Sequence, residues 1–327
     1  MINKYKGCLL GLAAGDALGA PVEFRSLQKI REKYGKKGIT DFENWKGFKA
    51  GSYSDDTQMS LASAVGCILG YQNWRKTGVF NNVSMVYRKY LEWFKSQDES
   101  FQRRFPGNTT LSALESGQMG TTAIKINNSK GCGGVIRTAP VGLAFPNDMA
   151  FREGVKFAAI THGHPSGYLP AGFLSEMITH LVAGKTLRGS IKLSITLLKT
   201  FEGHEETLNK INHARKLSSV RKNADKAIQE LGGGWVGEEA LAIALYCALI
   251  HENDFKNGVL AAVNHSGDSD STGSITGALL GTLHGKEAIP KHWILKLENS
   301  ENIIRIAEDM FRLFKKGEML SFDKYPS

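Results

Sequence analysis

The sequence predicts an all-α protein folded as a single orthogonal helical domain over residues 1–327. Three observations lead there. The long segments place apolar residues at three- and four-residue steps, the period of one helix face. Sustained period-two alternation, the mark of a half-buried strand, is nearly absent. Glycine recurs at every fourth position in two distant runs, Gly7, Gly11, Gly15, Gly19 and Gly273, Gly277, Gly281, Gly285.

In chain order, GCLLGLAAGDALGA resembles a secretory h-region at first sight, but Asp16 interrupts it and the helical pattern continues through, so it reads as a helix. DDTQMSLASAVGCILG, NVSMVYRKYLEWF, EEALAIALYCALIH and IIRIAEDMFRLFKK follow as amphipathic or buried helices. Glycine and proline mark the loops RFPGNTT, SKGCGGVIRTAP, THGHPSGYLP and LGGGW between them. Residues 202–230 are polar and charge-dense and are expected to form an exposed helical insertion. Four-residue glycine spacing leaves one helix face without Cβ atoms, so another backbone approaches closely. The two glycine runs are too short and polar for membrane dimerisation. They are expected to be core helices packed tightly on each other, which would bring Asp16 beside Asp268–Thr272.

Composition narrows the function. Hydrophobic residues make up 42% and charged residues 22%, which supports a full core and excludes a disordered chain. No run of about twenty apolar residues is present, so no membrane span is expected. Cys8, Cys67, Cys132 and Cys247 lie far apart without a CxxC pair, the pattern of free thiols in a reducing compartment, and a cytoplasmic location follows. The net charge of +9 favours anionic partners, but the bases are scattered and no nucleic-acid motif accompanies them.

Two acidic strings carry the chemistry. Ser54, Asp55, Asp56 and Thr57 precede one helix, and Asp268, Ser269, Asp270, Ser271 and Thr272 precede the second glycine run. Either string alone reads as a helix N-cap, for which Ser, Asp and Thr are preferred. Adjacent acids repel, and a helix terminus offers only about half a positive charge against them. Together, Ser54, Asp55, Asp56, Asp268, Asp270 and Ser271 offer the oxygen ligands that one or two octahedral Mg²⁺ or Mn²⁺ ions require. An EF-hand is excluded, because position twelve counted from Asp268 is Leu279 rather than glutamate. Zinc is disfavoured by the lack of clustered Cys and His.

Seven motifs in order, GCLLGLAAGDALGAPVEF, SYSDDTQMS, RFPGNTT, SKGCGGVIRTAPVGL, THGHPSGYLPAG, GGGWVGEEALAIALYC and AVNHSGDSDSTGSITGALLG, resemble the ADP-ribosylglycohydrolase family. The resemblance implies an all-α fold with a two-magnesium centre that hydrolyses the glycosidic bond between ADP-ribose and an acceptor. Matched by position, Ser54, Asp55, Asp56, Asp268, Asp270 and Ser271 are the implied metal ligands, with serine at both positions where threonine is usual. Cys132 stands where asparagine is common and Ser266 where glycine is common. The resemblance places Glu23 at the mouth of the site and leaves the catalytic base open among Glu23, Asp55, Asp56 and Asp268. Asp16 is expected to support the metal ligands from behind. Ser129, Gly131, Cys132 and Gly133 are expected to meet the pyrophosphate through backbone N–H groups, His162 to lie near the ribose, Tyr168 to stack on a ring, and Gly107 and Asn108 to shape the cleft. Arg137 is equally consistent with a structural role.

The expected partner is an ADP-ribosylated protein, with arginine as acceptor, or a small ADP-ribose conjugate. Two alternatives stand beside it: an immunity partner that blocks an ADP-ribosyltransferase toxin through its surface, and a metal-dependent nucleotide phosphohydrolase using the same oxygens.

Overall fold

The computed structural model describes residues 1–220, 223–321 and 325. Among these residues no strand forms, and extended pairing is confined to two isolated bridges, Trp45–Phe48 and Gly131–Val236.

The centre of the fold is the antiparallel pair of helices Ile2–Gly19 and Ser269–His284. A Cβ on Gly11 would lie 2.2 Å from the carbonyl oxygen of Gly277, and one on Gly15 would lie 2.0 Å from that of Gly273. Gly7 meets Gly281 in the same way, and a Cβ on Gly19 would lie 2.3 Å from the Cα of Asp270. The two sequence runs are therefore the two halves of one ladder in which each rung is a bare backbone contact. Side chains on the remaining faces, such as Leu9, Leu10, Ile275 and Leu279, are buried among the surrounding helices.

Helix Gly237–Ile250 packs against Ser269–His284 and is buried from Ala240 to Leu249. Helix Pro165–Val182 starts with proline, whose missing N–H costs nothing at a helix start, and buries most of its length. Helix Asp55–Thr77 is capped at its start by Ser54, whose Oγ accepts from the Asp56 amide at 3.2 Å. It ends on Gly78 in the left-handed conformation at φ 75°. The capping reading and the ligand reading of the first acidic string thus share one residue.

The stretch 202–230, expected as an exposed helical insertion, is helical where it is described, with most residues at the surface and one stripe packed inward. Helix Glu205–Ser219 buries Thr207, Ile211, Ala214 and Leu217 against helix Gly237–Ile250, and helix Ala224–Leu231 buries Ala227, Ile228 and Leu231. Small and singly spaced apolar residues carry that stripe, so the charge density of the other faces hides it in the sequence. The four cysteines are free and buried. No helix among the described residues is long and apolar enough to cross a membrane.

Because each rung of the ladder leaves no room for a methyl group, Gly277→Ala should lower stability by about 3 kcal/mol or more, the upper range of overpacking. Urea unfolding measures this, and a loss below about 0.5 kcal/mol, the level of a neutral surface change, would contradict the packing.

Candidate active site

The ladder sets the site because Asp16 and Gly19 close one helix at the end where Asp268, Asp270 and Ser271 open the other. Asp16 is fully buried and has no cationic partner among the described residues. Its Oδ1 accepts from the Ser54 amide at 2.8 Å, and its Oδ2 accepts from the Thr57 amide at 2.9 Å and the Thr57 hydroxyl at 2.5 Å. One carboxylate on the first helix thereby fixes the turn that presents Asp55 and Asp56.

The second string is fixed in turn by the glycine loop 232–234. The Asp268 amide donates to the Gly233 carbonyl at 2.8 Å, and its Oδ1 accepts from the Ser271 amide at 3.3 Å. The strings then meet directly: the Ser271 hydroxyl donates to Asp56 Oδ2 at 3.1 Å. Carboxylate oxygens of Glu23, Asp268 and Asp270 lie within 4.8 Å of one another. These residues, with Asp55, line a cleft of about 270 Å³ whose wall also includes the buried Arg137, His162 and Cys132.

Charge in this cleft is one-sided. Five carboxyls, on Glu23, Asp55, Asp56, Asp268 and Asp270, face one lining guanidinium, Arg137. The Lys46 ammonium adds a contact to Glu23 Oε2 at 3.8 Å. Burial, and then the charge of Asp268, pushes Glu23 up to about 8. Burial, and then Asp16, pushes Asp55 up to about 8. Asp56 is raised well above the carboxylate range by burial and then by Asp55, and Asp270 by burial and then by Glu23. Mutual repulsion among hard oxygen donors with so little positive charge between them is the condition a divalent cation relieves, and the donor set fits Mg²⁺ or Mn²⁺.

His162 has its ring orientation defined by its neighbours. Arg137 Nη2 donates to Thr161 Oγ1 at 2.5 Å, and Thr161 Oγ1 lies 2.8 Å from His162 Nδ1. A guanidinium only donates, and the Thr161 hydroxyl has no other acceptor among the described residues, so its proton goes to Nδ1. The neutral ring then carries its own proton on Nε2, the atom beside Gly131. Burial, and then Arg137, holds His162 down to about 3, so the ring is an uncharged donor.

Gly107, Asn108, Gly131, Cys132 and Gly133 also line the cleft. Two of the backbone donors expected for a pyrophosphate are already engaged: the Gly131 amide donates to Ser129 Oγ at 3.1 Å and the Cys132 amide to the Trp235 carbonyl at 3.2 Å. Ser129 does not itself line the cleft, and its hydroxyl lies 3.2 Å from that of Thr109, which does. Ser54 is likewise beneath the cleft, capping its helix, whereas Glu23 joins the carboxylate cluster. Tyr168 is buried within helix Pro165–Val182 and does not line the cleft. The Cys132 thiol donates to Asp268 Oδ2 at 2.8 Å, so the cysteine substitutes a hydrogen-bond donor for the usual amide. Ser266 Oγ accepts from the Leu27 amide at 2.8 Å, giving that departure from glycine a local capping role.

Sequence reasoning missed the aromatic rim. Phe24 and Trp235 stack with centroids 5.0 Å apart at the mouth, and Phe105 faces them across it. Phe24 is 69% exposed and Trp235 43% exposed. The signal was a large ring directly after the motif acid Glu23 and another after the glycine loop, at positions no helical period buries.

With that geometry in place, comparison with known proteins assigns the class. The ADP-ribosylglycohydrolase family model matches residues 1–318. The chain belongs to the ADP-ribosylglycohydrolase family, a class of hydrolases. It is 28% identical over 300 residues to the ADP-ribosyl-[dinitrogen reductase] glycohydrolase of Rhodospirillum rubrum, covering 90% of both chains. It is 26% identical over 320 residues to the ADP-ribosylarginine hydrolase Tri1 of Serratia proteamaculans, covering 95% of this chain and 79% of the relative. A solved structure described as an ADP-ribosylglycohydrolase-related protein complex shares the fold, with a TM-score of 0.66 at 24% identity over 95% of this chain and 98% of that one.

Raised carboxyl pKa values make a stability prediction for the metal-free protein. A group raised in the folded state stabilises fully below its unfolded value, 4.5 for Glu23 and 3.8 for Asp55, and that contribution is lost as pH rises through about 8. Glu23→Gln should therefore lose less thermal stability than the wild type between pH 5 and pH 8 in EDTA, both figures being approximate limits about this window. Parallel melting curves across the range would contradict the assignment.

Proposed function

We propose that the protein is a hydrolase dependent on two Mg²⁺ or Mn²⁺ ions that releases ADP-ribose from ADP-ribosylated arginine on a protein. The observation that carries this reading is the 3.1 Å contact between Ser271 and Asp56, which joins two acidic strings far apart in sequence into one cleft. Family membership supports the hydrolysis of an ADP-ribose conjugate, and the similarity to a dinitrogen reductase glycohydrolase and to an ADP-ribosylarginine hydrolase favours a protein acceptor and arginine.

Asp55, Asp56, Asp268, Asp270 and Ser271 would hold the metal, with Ser54 offering a remaining lone pair from below. When bound, the ions supply Lewis acidity and orient a water and the ribose hydroxyls. The remaining tasks belong to the protein. Asp16 keeps the Ser54–Thr57 turn in place. His162 offers its Nε2–H to an oxygen of the substrate without adding charge. Phe24 and Trp235 wall the mouth and exclude water from the approach of the scissile bond.

Glu23 occupies the position for proton transfer. It is half-buried at the mouth and adjoins Asp268 and Asp270, within reach of a water or leaving group held over them. In the balanced reaction, water adds to the anomeric carbon as the carbon–nitrogen bond breaks. The water proton passes to a carboxylate and the departing arginine nitrogen receives one, leaving free ADP-ribose and the unmodified guanidine.

Asp55→Asn should lower the release of ADP-ribose from an ADP-ribosylated arginine substrate by about 10²-fold or more. EDTA should abolish release, with Mg²⁺ restoring it. Chromatographic separation of the products tests the reading directly. AMP or phosphate in place of ADP-ribose would assign the cleft to phosphohydrolysis, and turnover unaffected by EDTA would remove the metal.

A further inference from the structure

A second groove of about 740 Å³ is lined by the loop 46–52, whose Lys46 contacts Glu23 and Phe105 of the cleft. Its lining differs in chemistry from the acidic cleft. Lys46, Lys49, Arg104 and Lys296 face it against a single acid, Glu298. That acid is committed: Arg104 Nη1 and Nη2 donate to its two oxygens at 3.0 and 2.8 Å. Lys296 is paired with Asp41 at 2.9 Å, outside the groove. Lys46 reaches Glu23 only at 3.8 Å and sits 4.1 Å from the Phe105 ring centroid. Lys49 is exposed and has no acidic partner among the described residues. The charge left without an acidic partner among the described residues is therefore that of Lys49, next to a Lys46 held only by the longer contact to Glu23.

The groove is also built rather than loose. The Arg104 guanidinium lies 4.1 Å from the Phe48 centroid and donates to the Tyr53 carbonyl at 3.2 Å, giving a fixed floor. The Trp45 indole N–H donates to the Ser52 carbonyl at 3.0 Å, and the Glu298 amide donates to the Gly51 carbonyl at 3.0 Å. Phe101, 64% exposed, and Phe105, 51% exposed, offer apolar surface along its edge and along the boundary with the cleft.

We propose that this groove docks an acidic segment of the ADP-ribosylated protein, flanking the modified residue as that residue enters the cleft. The proposal deepens the hydrolase reading and rests on it for the order of events. Charge complementarity selects the occupant: four cationic side chains against one committed acid, with the Lys49 ammonium unpaired among the described residues and exposed rings beside it, suit Asp or Glu interspersed with apolar residues and disfavour a basic segment. Lys46 lines the groove and touches Glu23 and Phe105 of the cleft, so the two surfaces adjoin through it. A small ADP-ribosylarginine would fill the cleft without touching the groove, so recognition of flanking residues is separable from the chemistry.

The test uses the full chain and two fluorescein-labelled ten-residue peptides without ADP-ribose, one rich in Asp and Glu with a central Phe, the other with Ser and Gly replacing the acids. By fluorescence anisotropy the acidic peptide should bind about tenfold more tightly, with the advantage shrinking at high salt. Lys49→Glu should weaken the acidic peptide about fivefold or more and leave the neutral one unchanged. Hydrolysis of free ADP-ribosylarginine should be the same in Lys49→Glu and wild type. Equal binding of the two peptides, or an acidic peptide indifferent to Lys49→Glu, would overturn the proposal. The anisotropy needs no turnover, so an inert small substrate would count against the hydrolase reading alone.

Discussion

Close approach of two helix backbones is the constraint on which the rest of this protein depends. Gly7, Gly11, Gly15 and Gly19 face Gly281, Gly277, Gly273 and Asp270 with no side chain between them. Such a contact tolerates little sliding, because any shift brings a Cα or carbonyl of one helix against the other. It consequently fixes not only a distance but an axial register. That register places Asp16 level with the start of helix Ser269–His284, and Asp16 then holds the Ser54–Thr57 turn. The two acidic strings meet because the glycines allow one alignment of their supporting helices.

Electrostatics works against this alignment, and the fold overcomes it locally. Carboxyls that approach one another while buried resist ionisation. Here the opposing forces are hydrogen bonds: three donors on Asp16, the Ser271 amide on both Asp268 and Asp270, and the Ser271 hydroxyl on Asp56. These bonds orient oxygens without neutralising them. A donor set oriented in this way could hold a cation with little rearrangement, at a place where stability is least favoured. The uncharged His162 and the buried Arg137 complete the wall opposite the acids through Thr161.

Much of this was legible in the sequence, for physical reasons that differ by residue. The glycine spacing disclosed helix faces without side chains, and the acids before helix starts disclosed their own clustering, since capping and ligation draw on the same residues. Position-by-position resemblance singled out Glu23, His162, Gly107 and Asn108, which line one cleft with both acidic strings. What stayed hidden depends on direction rather than identity. Backbone amides of Gly131 and Cys132 point to Ser129 and Trp235, a choice set by tertiary bridging across Gly131–Val236. Tyr168 turned inward because it falls on a helix rather than on the loop its proline and glycines suggested. The rim aromatics Phe24, Phe105 and Trp235 carry no periodicity, and the stripe Thr207, Ile211, Ala214 and Leu217 is masked by charged neighbours.

The central claim, that the register of the glycine ladder assembles a cation-binding cluster, is tested most directly by anomalous diffraction from crystals soaked in Mn²⁺. The account predicts one or two anomalous peaks between the Asp55–Asp56 turn and Asp268–Asp270, with oxygen ligands at about 2.1 Å. Crystals that take up manganese elsewhere while the cleft shows no anomalous density would contradict it.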